Sequence, residues 1–379
     1  MPPRSTAVAL VLLAAAAPCA PAQPLITVPD DRTDAVLWID SASGDVRRSF
    51  PLSDGAAATA PLDSRRLAPI RIASVTHPAA IVVSDPRNRR LSAIHPDTGE
   101  PLGIIADNID ARGLALAPTG ELWIAAGRGG VARFDPRSGT LSTVVPANPR
   151  QGPNQAVGIL HRPPGVVPEN LNDDPEDDLP EGDILVTDVT LDAIWRFSPA
   201  GARIGAFSRD SSLVYPQQLA LRDDGRIVVC DTFADKVREF TPTGDILASY
   251  AILRPRGVIE RADGALIVSA EPGILALRPD GAIERILTPG YPAGAPRFLS
   301  NAGCTALVGD LDGDGRVTNF DVDAFVLALV DAAEFALTYP DVDRLCAGDI
   351  NRDGRFDLFD IDPFVSCLVE LPEIGRPCP

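Results

Sequence analysis

The sequence predicts a mainly β chain: a six-bladed β-propeller over residues 23–303, then a small α-helical domain with paired calcium loops over 304–379. Three observations predict it. A turn unit of form apolar-x-(Pro/Ser)-x-x-Gly recurs six times, a strand unit that usually ends in Asp precedes it six times, and two acidic segments near the C-terminus superpose with a constant offset of 39 residues. Repeats of this length mean stacked units that bury a shared core.

The first element is a leader. Residues 1–22 hold Arg4, an apolar run from Ala7 to Ala17 and the small-residue pattern Ala20-Pro21-Ala22. Eleven apolar residues are too few to span a bilayer and suit a signal-peptide core, so the expectation is cleavage near Ala22 and a secreted or cell-surface protein with no membrane span when mature. The net charge of −18 and the absence of a basic run exclude a nucleic-acid partner, since neutralising phosphates needs clustered cations.

The blades follow. The turn units end at Gly44, Gly99, Gly139, Gly201, Gly244 and Gly281, at spacings of 55, 40, 62, 43 and 37 residues, a basic period near 40 with two insertions. Each reads as a hairpin in which Gly supplies the positive φ of a tight turn, and the copies ending at Gly201, Gly244 and Gly281 are one residue shorter. The strand units are "ITVPD", "IVVSD", "LWIAA", "ILVTD", "IVVCD" and "LIVSA". Where Asp30, Asp85, Asp188 or Asp231 ends the unit the next strand starts later than where Ala126 or Ala270 does, so these acids are read as turn caps that accept backbone N–H groups. Six four-stranded units at this period specify a propeller. Blade one lacks an inner strand before Leu25, and "PRFLSN", residues 296–301, is expected to supply it from the other end.

The stretch "YPQQLALRDDGRIVVCDTFADKVREFTPTGDILASY" from Tyr215 resembles an NHL-type repeat, and "ARGLALAPTGELWIAAGRGGVARFDPRSG" is a second copy. The resemblance covers residues 25–303. It implies a superfamily that includes binding platforms, SMP-30-type lactonases and streptogramin-lyase-like enzymes. Counting back twelve residues from each second strand places Arg71, Arg112, Gln217 and Arg256 on the channel, with Gln155 by local pattern in blade four and Arg297 completing the ring. Cations and amides there would hold an anionic or polar ligand. The Glu, Asn and Asp metal set that the lactonases use has no counterpart on these strands. Of the three histidines, His95 falls in a turn, and His77 and His161 follow inner strands within reach of a rim. The expectation is therefore a binding protein without catalysis; the alternative is an extracellular lactonase or lyase.

The insertion from Arg162 to Asp183 carries eight acids after Pro168 and reads as a solvated loop. Four cysteines, Cys304, Cys346, Cys367 and Cys378, crowd the last 76 residues, and outside the cytoplasm they point to two disulfides. Three pairings are open, with Cys367–Cys378 and Cys304–Cys346 preferred, and Cys230 in "RIVVCD" is read as a buried free thiol.

The paired segments are "DLDGDGRVTNFDVDAFVLALV" from Asp310 and "DINRDGRFDLFDIDPFVSCLV" from Asp349. Loop positions 1, 3, 5 and 12 are Asp310, Asp312, Asp314 and Asp321 in the first and Asp349, Asn351, Asp353 and Asp360 in the second, with Gly315 or Gly354 at the sharp turn. Arg316 or Arg355 offers a carbonyl at position 7, and Thr318 or Asp357 acts through water at position 9. Two Ca2+ ions are the expected cofactors. A helix follows each loop, with Phe320, Val322, Phe325, Val326, Leu329 and Val330 matching Phe359, Ile361, Phe364, Val365, Leu368 and Val369, and the two apolar faces are expected to pack together. Asp at position 12 without an entering helix resembles a dockerin type I repeat more than an EF-hand. That resemblance implies docking onto a cohesin-like protein or a cell-surface component. From Cys304 onward 16 acids face 5 arginines, so folding is expected to need the metal or the disulfides.

Overall fold

The computed structural model describes residues 25–370, except 31–33, 53–61, 149–152, 163–181, 290–297, 302–307, 351–355 and a few shorter stretches. The leader, Arg297, Cys304, Cys378 and most of the acidic insertion lie outside the described residues, and so both preferred disulfides do as well.

Six four-stranded antiparallel sheets form the blades. Their inner strands are Ser300–Asn301, Asp63–Leu67, Leu114–Leu116, Ala156–Arg162, Pro216–Leu221 and Gly257–Glu260 for blades one to six, and each meets the inner strand of the next blade around a closed ring. Closure comes from opposite ends of the propeller, as the sequence predicts: Ile26 pairs with Asn301 and Thr27 with Ser300.

Sandwiching between neighbouring blades explains the Val/Ile runs. The second strands Ala80–Asp85, Asp183–Asp188, Ile227–Asp231 and Leu266–Ala270 are buried along their whole length, because both faces of each meet another sheet. Each buried Val, Ile or Leu in them contributes about 1.5–3 kcal/mol by leaving water. Outer strands are wetter; Ile104, Leu247 and Ile283 stay exposed.

The turn reading holds in detail. All six turn glycines have φ between +73° and +98°. At Gly44, Gly99 and Gly139 the N–H donates to the carbonyl four residues back, and at Gly201, Gly244 and Gly281 to the one three back, which is the one-residue difference seen in the sequence. Asp85 and Asp188 cap their own turns, accepting from Asn88 N–H (3.1 Å) and from Thr190 and Leu191 N–H (3.0 and 3.2 Å). Asp231 works differently. It accepts from Val214 N–H (2.7 Å) and Arg238 Nε (2.6 Å), so it ties the incoming loop instead of its own turn.

The helices Asp321–Val330 and Ile361–Glu370 stand where the sequence places them. Their packing differs from expectation. Phe325 and Phe364 stack with centroids 4.2 Å apart, and Ala324 and Ala328 are buried, but Val322, Val326 and Val330 of the first helix and Val365 and Val369 of the second are exposed. The apolar positions form two ridges per helix, and only the inner ridge is covered. Among the described residues no helix is long and apolar enough to cross a membrane.

Candidate functional site

Each second strand ends, and each inner strand begins, on one face of the ring, here called the upper face. Arg112, Gln155, Gln217 and Arg256 all lie at these upper starts. Arg112 N–H donates to Ala125 and Arg256 N–H to Ser269, both at 2.9 Å, an identical register in two blades. The same contact in blade two is made by Leu62, whose N–H donates to Ser84 at 3.0 Å. Arg71 is elsewhere. It sits exposed in an extra hairpin, Ile70–Ile72 with Val75–His77, and its N–H bonds the Pro136 carbonyl. Counting back from the second strand fails here because this hairpin intervenes between the inner and second strands.

An open polar channel is not what these residues line. Leu62 of blade two and Tyr215 at the start of blade five pack on one buried cluster with Phe298, Val157 and Val189. Blades two and five are opposite in a six-membered ring, so the cluster reaches across the axis, and its Phe298 is fully buried. Inner strands also touch directly: Gly113 N–H donates to Val157 O at 2.9 Å, and a Cβ on Gly158 would lie 2.1 Å from Gln217 O. Arg112 is held by Asp110 through two bonds of 3.1 Å. Gln217 is buried and accepts from Thr187 Oγ1 through its main-chain carbonyl.

The neighbouring amide does more. Gln218 Oε1 accepts from Val258 N–H (3.0 Å) and Leu299 N–H (2.8 Å), and its Nε2 donates to Leu299 O, so one side chain joins blades five, six and one. An inner-strand carboxylate, Asp63, is also present and 1% exposed. It accepts from Ser64 N–H (2.8 Å) and Leu114 N–H (2.7 Å) and pairs with Arg65. Burial pushes its pKa up to about 6, against the opposing pull of Arg65. Neither residue follows from the sequence pattern, because only neighbouring blades give them their roles.

On the upper face of blades four to six lies an exposed apolar patch, here called the bowl. Tyr215 stacks on Phe233 at 4.3 Å, Arg254 lies 4.8 Å from the Phe233 ring centre, and Leu191, Val214, Phe233 and Leu253 are 39–50% exposed. Arg256 is half-buried at its edge, and its buried Nε has no hydrogen-bond partner. Burial lowers the guanidinium below its ordinary value, while Tyr215 and Glu271 favour the charge. A desolvated guanidinium N–H with no protein acceptor suits an oxyanion.

The histidines are on the other face. His161 lies near the far end of the inner strand Ala156–Arg162, half-buried near Trp123 at 6.5 Å, with its pKa lowered by burial against the pull of Asp183 and Glu121. His77 is in the extra hairpin and His95 in a lower turn. Inter-blade cement on this lower face comes from other arginines. Arg162 donates to Asp183 and Pro242 O, and Arg222 to Glu239, Glu260 and Gly264 O.

In the C-terminal segment, oxygens of Asp310, Asp312 and Asp314 come within 4.8 Å of one another. Asp321 is fully buried, and its two oxygens accept from Leu311, Asp312 and Thr318 N–H. Arg316 N–H donates to Asp314, and Thr318 Oγ1 accepts from Phe320 N–H. Burial and nearby Asp312 raise the Asp321 pKa. Converging hard oxygens fit a Ca2+ ion, whose charge would favour the ionised acids. In the second loop Asp349 and Asp360 are buried, and Asn351, Asp353, Arg355 and Asp357 lie outside the described residues.

No family model matches the sequence, and no curated protein matches it. Solved structures similar to the chain include a virginiamycin B lyase from Staphylococcus aureus, 17% identical, covering 62% of this chain and 78% of that one with a TM-score of 0.44. They also include a gluconolactonase from Xanthomonas campestris, 16% identical, covering 74% and 91%, TM-score 0.44, and a nidogen/laminin complex, 13% identical, covering 74% and 99%, TM-score 0.53. At these identities the likeness is one of fold. Enzymes are among these structures, so the fold gives no ground for the expectation of a protein without catalysis. The fold is a mainly β, six-bladed propeller with structural neighbours of the streptogramin-lyase and gluconolactonase type.

Proposed function

We propose that the propeller is an extracytoplasmic ester-cleaving enzyme of the lactonase or lyase kind, acting in the upper bowl on a substrate with an apolar or aromatic body. One observation carries the reading: the half-buried Arg256 at the edge of the bowl, with an Nε that no protein acceptor satisfies. Tyr215, Phe233, Val214 and Leu253 hold the apolar body, and Arg256 binds the ester carbonyl oxygen where negative charge develops. Glu271 is the nearby carboxylate that takes the proton. In a lactonase that proton comes from an attacking water and passes to the alcohol oxygen as the acyl C–O bond breaks; in a lyase it comes from the carbon next to the one bearing the ester oxygen, and the carboxylate leaves as the C=C bond forms. The enzymes among the neighbouring structures support this reading in kind only.

The C-terminal segment serves attachment in this proposal. Asp310, Asp312, Asp314 and Asp321 hold one Ca2+, and Asp349 with Asp360 contribute to a second site. The exposed ridges of Val322, Val326 and Val330 and of Ile361, Val365 and Val369 offer two equivalent docking faces to a cohesin-like protein or a cell-surface component.

The test is turnover of a series of aryl and alkyl lactones in water labelled with heavy oxygen. Label in the product acid identifies a lactonase, and an unsaturated product without label a lyase. Arg256→Ala should lower kcat/KM by about a hundredfold, and Glu271→Gln should abolish turnover. Activity unchanged in both variants, or no activity on any lactone, overturns the reading.

A further inference from the structure

On the outer part of the upper face, between blades two and three, is a cavity of about 430 Å³. It is separate from the bowl, which lies over blades four to six. Its floor is apolar, made by Ile109, Ala126, Ala132 and Leu141, and its rim carries Arg89 and Arg128. The local backbone explains why it is hollow. Blades one, two, four and five place an Asp at the end of the second strand, and blade three has Ala126 there. The turn that follows is Gly127-Arg128-Gly129-Gly130, drawn tight by Gly129 N–H to Ala126 O (2.7 Å) and Ala126 N–H to Gly130 O (2.9 Å). Gly127 and Gly130 have φ of +53° and +87°, and a Cβ on either would lie 2.0 Å from a neighbouring atom. Such a turn holds Arg128 at its tip while filling none of the space left by the missing carboxylate.

The charge on this cavity is opposite to that of the protein. Its one acid, Asp110, is taken up by both bonds from Arg112. Arg89 gives one N–H to Asn108 O at 2.9 Å and has other donors to offer. Arg128 is exposed at the rim. Two guanidinium groups over an apolar floor, in a chain of net charge −18, recognise an anion with a hydrophobic body. The floor disfavours a fully hydrated inorganic anion, which has nothing apolar to bury.

We propose that this cavity is a binding site for a small organic acid, its carboxylate held by Arg89 and Arg128 and its apolar body laid on Ala126, Ala132 and Leu141. The proposal stands independently of catalysis in the bowl.

The experiment is calorimetric titration of the full chain with phenylacetate, phenylacetamide and inorganic phosphate. Phenylacetate should bind saturably below about 10 mM, and the amide and phosphate at least about tenfold more weakly. Arg128→Ala and Arg89→Ala should each weaken phenylacetate by about tenfold. Ala126→Asp should abolish its binding by restoring a carboxylate to the cavity. Unchanged thermal unfolding of Arg128→Ala shows that the fold is intact. Arg256→Ala should leave binding as it is. Equal binding of acid and amide, full binding by the Arg128→Ala and Ala126→Asp variants, loss only in Arg256→Ala, or no saturable phenylacetate binding would each overturn the proposal.

Discussion

Gln218 grips the main chain of Leu299 twice, its Oε1 accepting from the Leu299 N–H at 2.8 Å and its Nε2 donating to the Leu299 carbonyl at 2.5 Å. The same Oε1 accepts from Val258 N–H, so three buried backbone groups depend on one side chain. Gln218→Leu keeps the volume and strands all three. The expected loss is about 3 kcal/mol, read as a lower midpoint in urea unfolding with an unchanged slope.

Gly158 is fixed by steric contact. A Cβ there would come within 2.1 Å of Gln217 O and 2.9 Å of Thr187 Oγ1. Since the obstacle at 2.1 Å is backbone, Gly158→Ala should cost about 2 kcal/mol. Gly120→Ala, at a turn where a Cβ meets nothing within 4 Å but φ is +87°, should cost less, from backbone strain alone. Equal costs would show that the inner strands can separate without penalty.

Asp63 makes stability depend on pH in an unusual direction. Its folded pKa is about 6, and an unfolded aspartate titrates near ~3.9. Between those values the folded chain keeps a proton that the unfolded chain has released, so this residue's contribution falls as pH rises from about 4 to about 6 and is level above. The difference in unfolding free energy between wild type and Asp63→Asn should shift against wild type by roughly 3 kcal/mol across that window. A pH-independent difference would mean that the carboxyl titrates normally.

The C-terminal helices should depend on Ca2+. Chelation should remove their far-ultraviolet helical signal and leave the β signal, and Asp321→Ala should do the same at any Ca2+ level by releasing the N–H groups of Leu311, Asp312 and Thr318. Helical signal unchanged by both treatments would refute metal-dependent folding.

In the bowl, Phe233→Ala removes half of the Tyr215–Phe233 stack and the surface under Arg254. In the proposed site this ring meets the substrate body and not the reacting bond, so KM should rise about tenfold with kcat close to wild type. A loss confined to kcat would place the chemistry elsewhere.

Much of the ring was legible because its signals are local. Turn glycines, Val/Ile runs buried on both faces and a period near 40 residues each follow from short-range geometry, and the unpaired start at Leu25 pointed to the closing strand. Arg71 was misplaced because an extra hairpin breaks the count and nothing in its composition marks it as outside the blade. Asp63 and Gln218 were missed for a different reason: their partners, Leu114, Val258 and Leu299, belong to other blades. The helices held a third ambiguity. Residues 322, 326 and 330 are as apolar as 324, 325 and 328, and the tertiary partners of the inner ridge, Phe364 stacked on Phe325 and Phe356 edge-on to it, decide which ridge turns inward.

The pairing of Ile26 with Asn301 also sets the order in which this molecule can be finished. A chain emerging amino end first lays down five sheets and most of a sixth as an open arc, whose first strand waits with one edge bare until the last few residues of the propeller arrive. That wait spans some 270 residues of synthesis, and a bare strand edge is the feature by which two nascent copies would stick to each other. The seam is therefore both the fastening of the ring and the place where its assembly is most exposed to error.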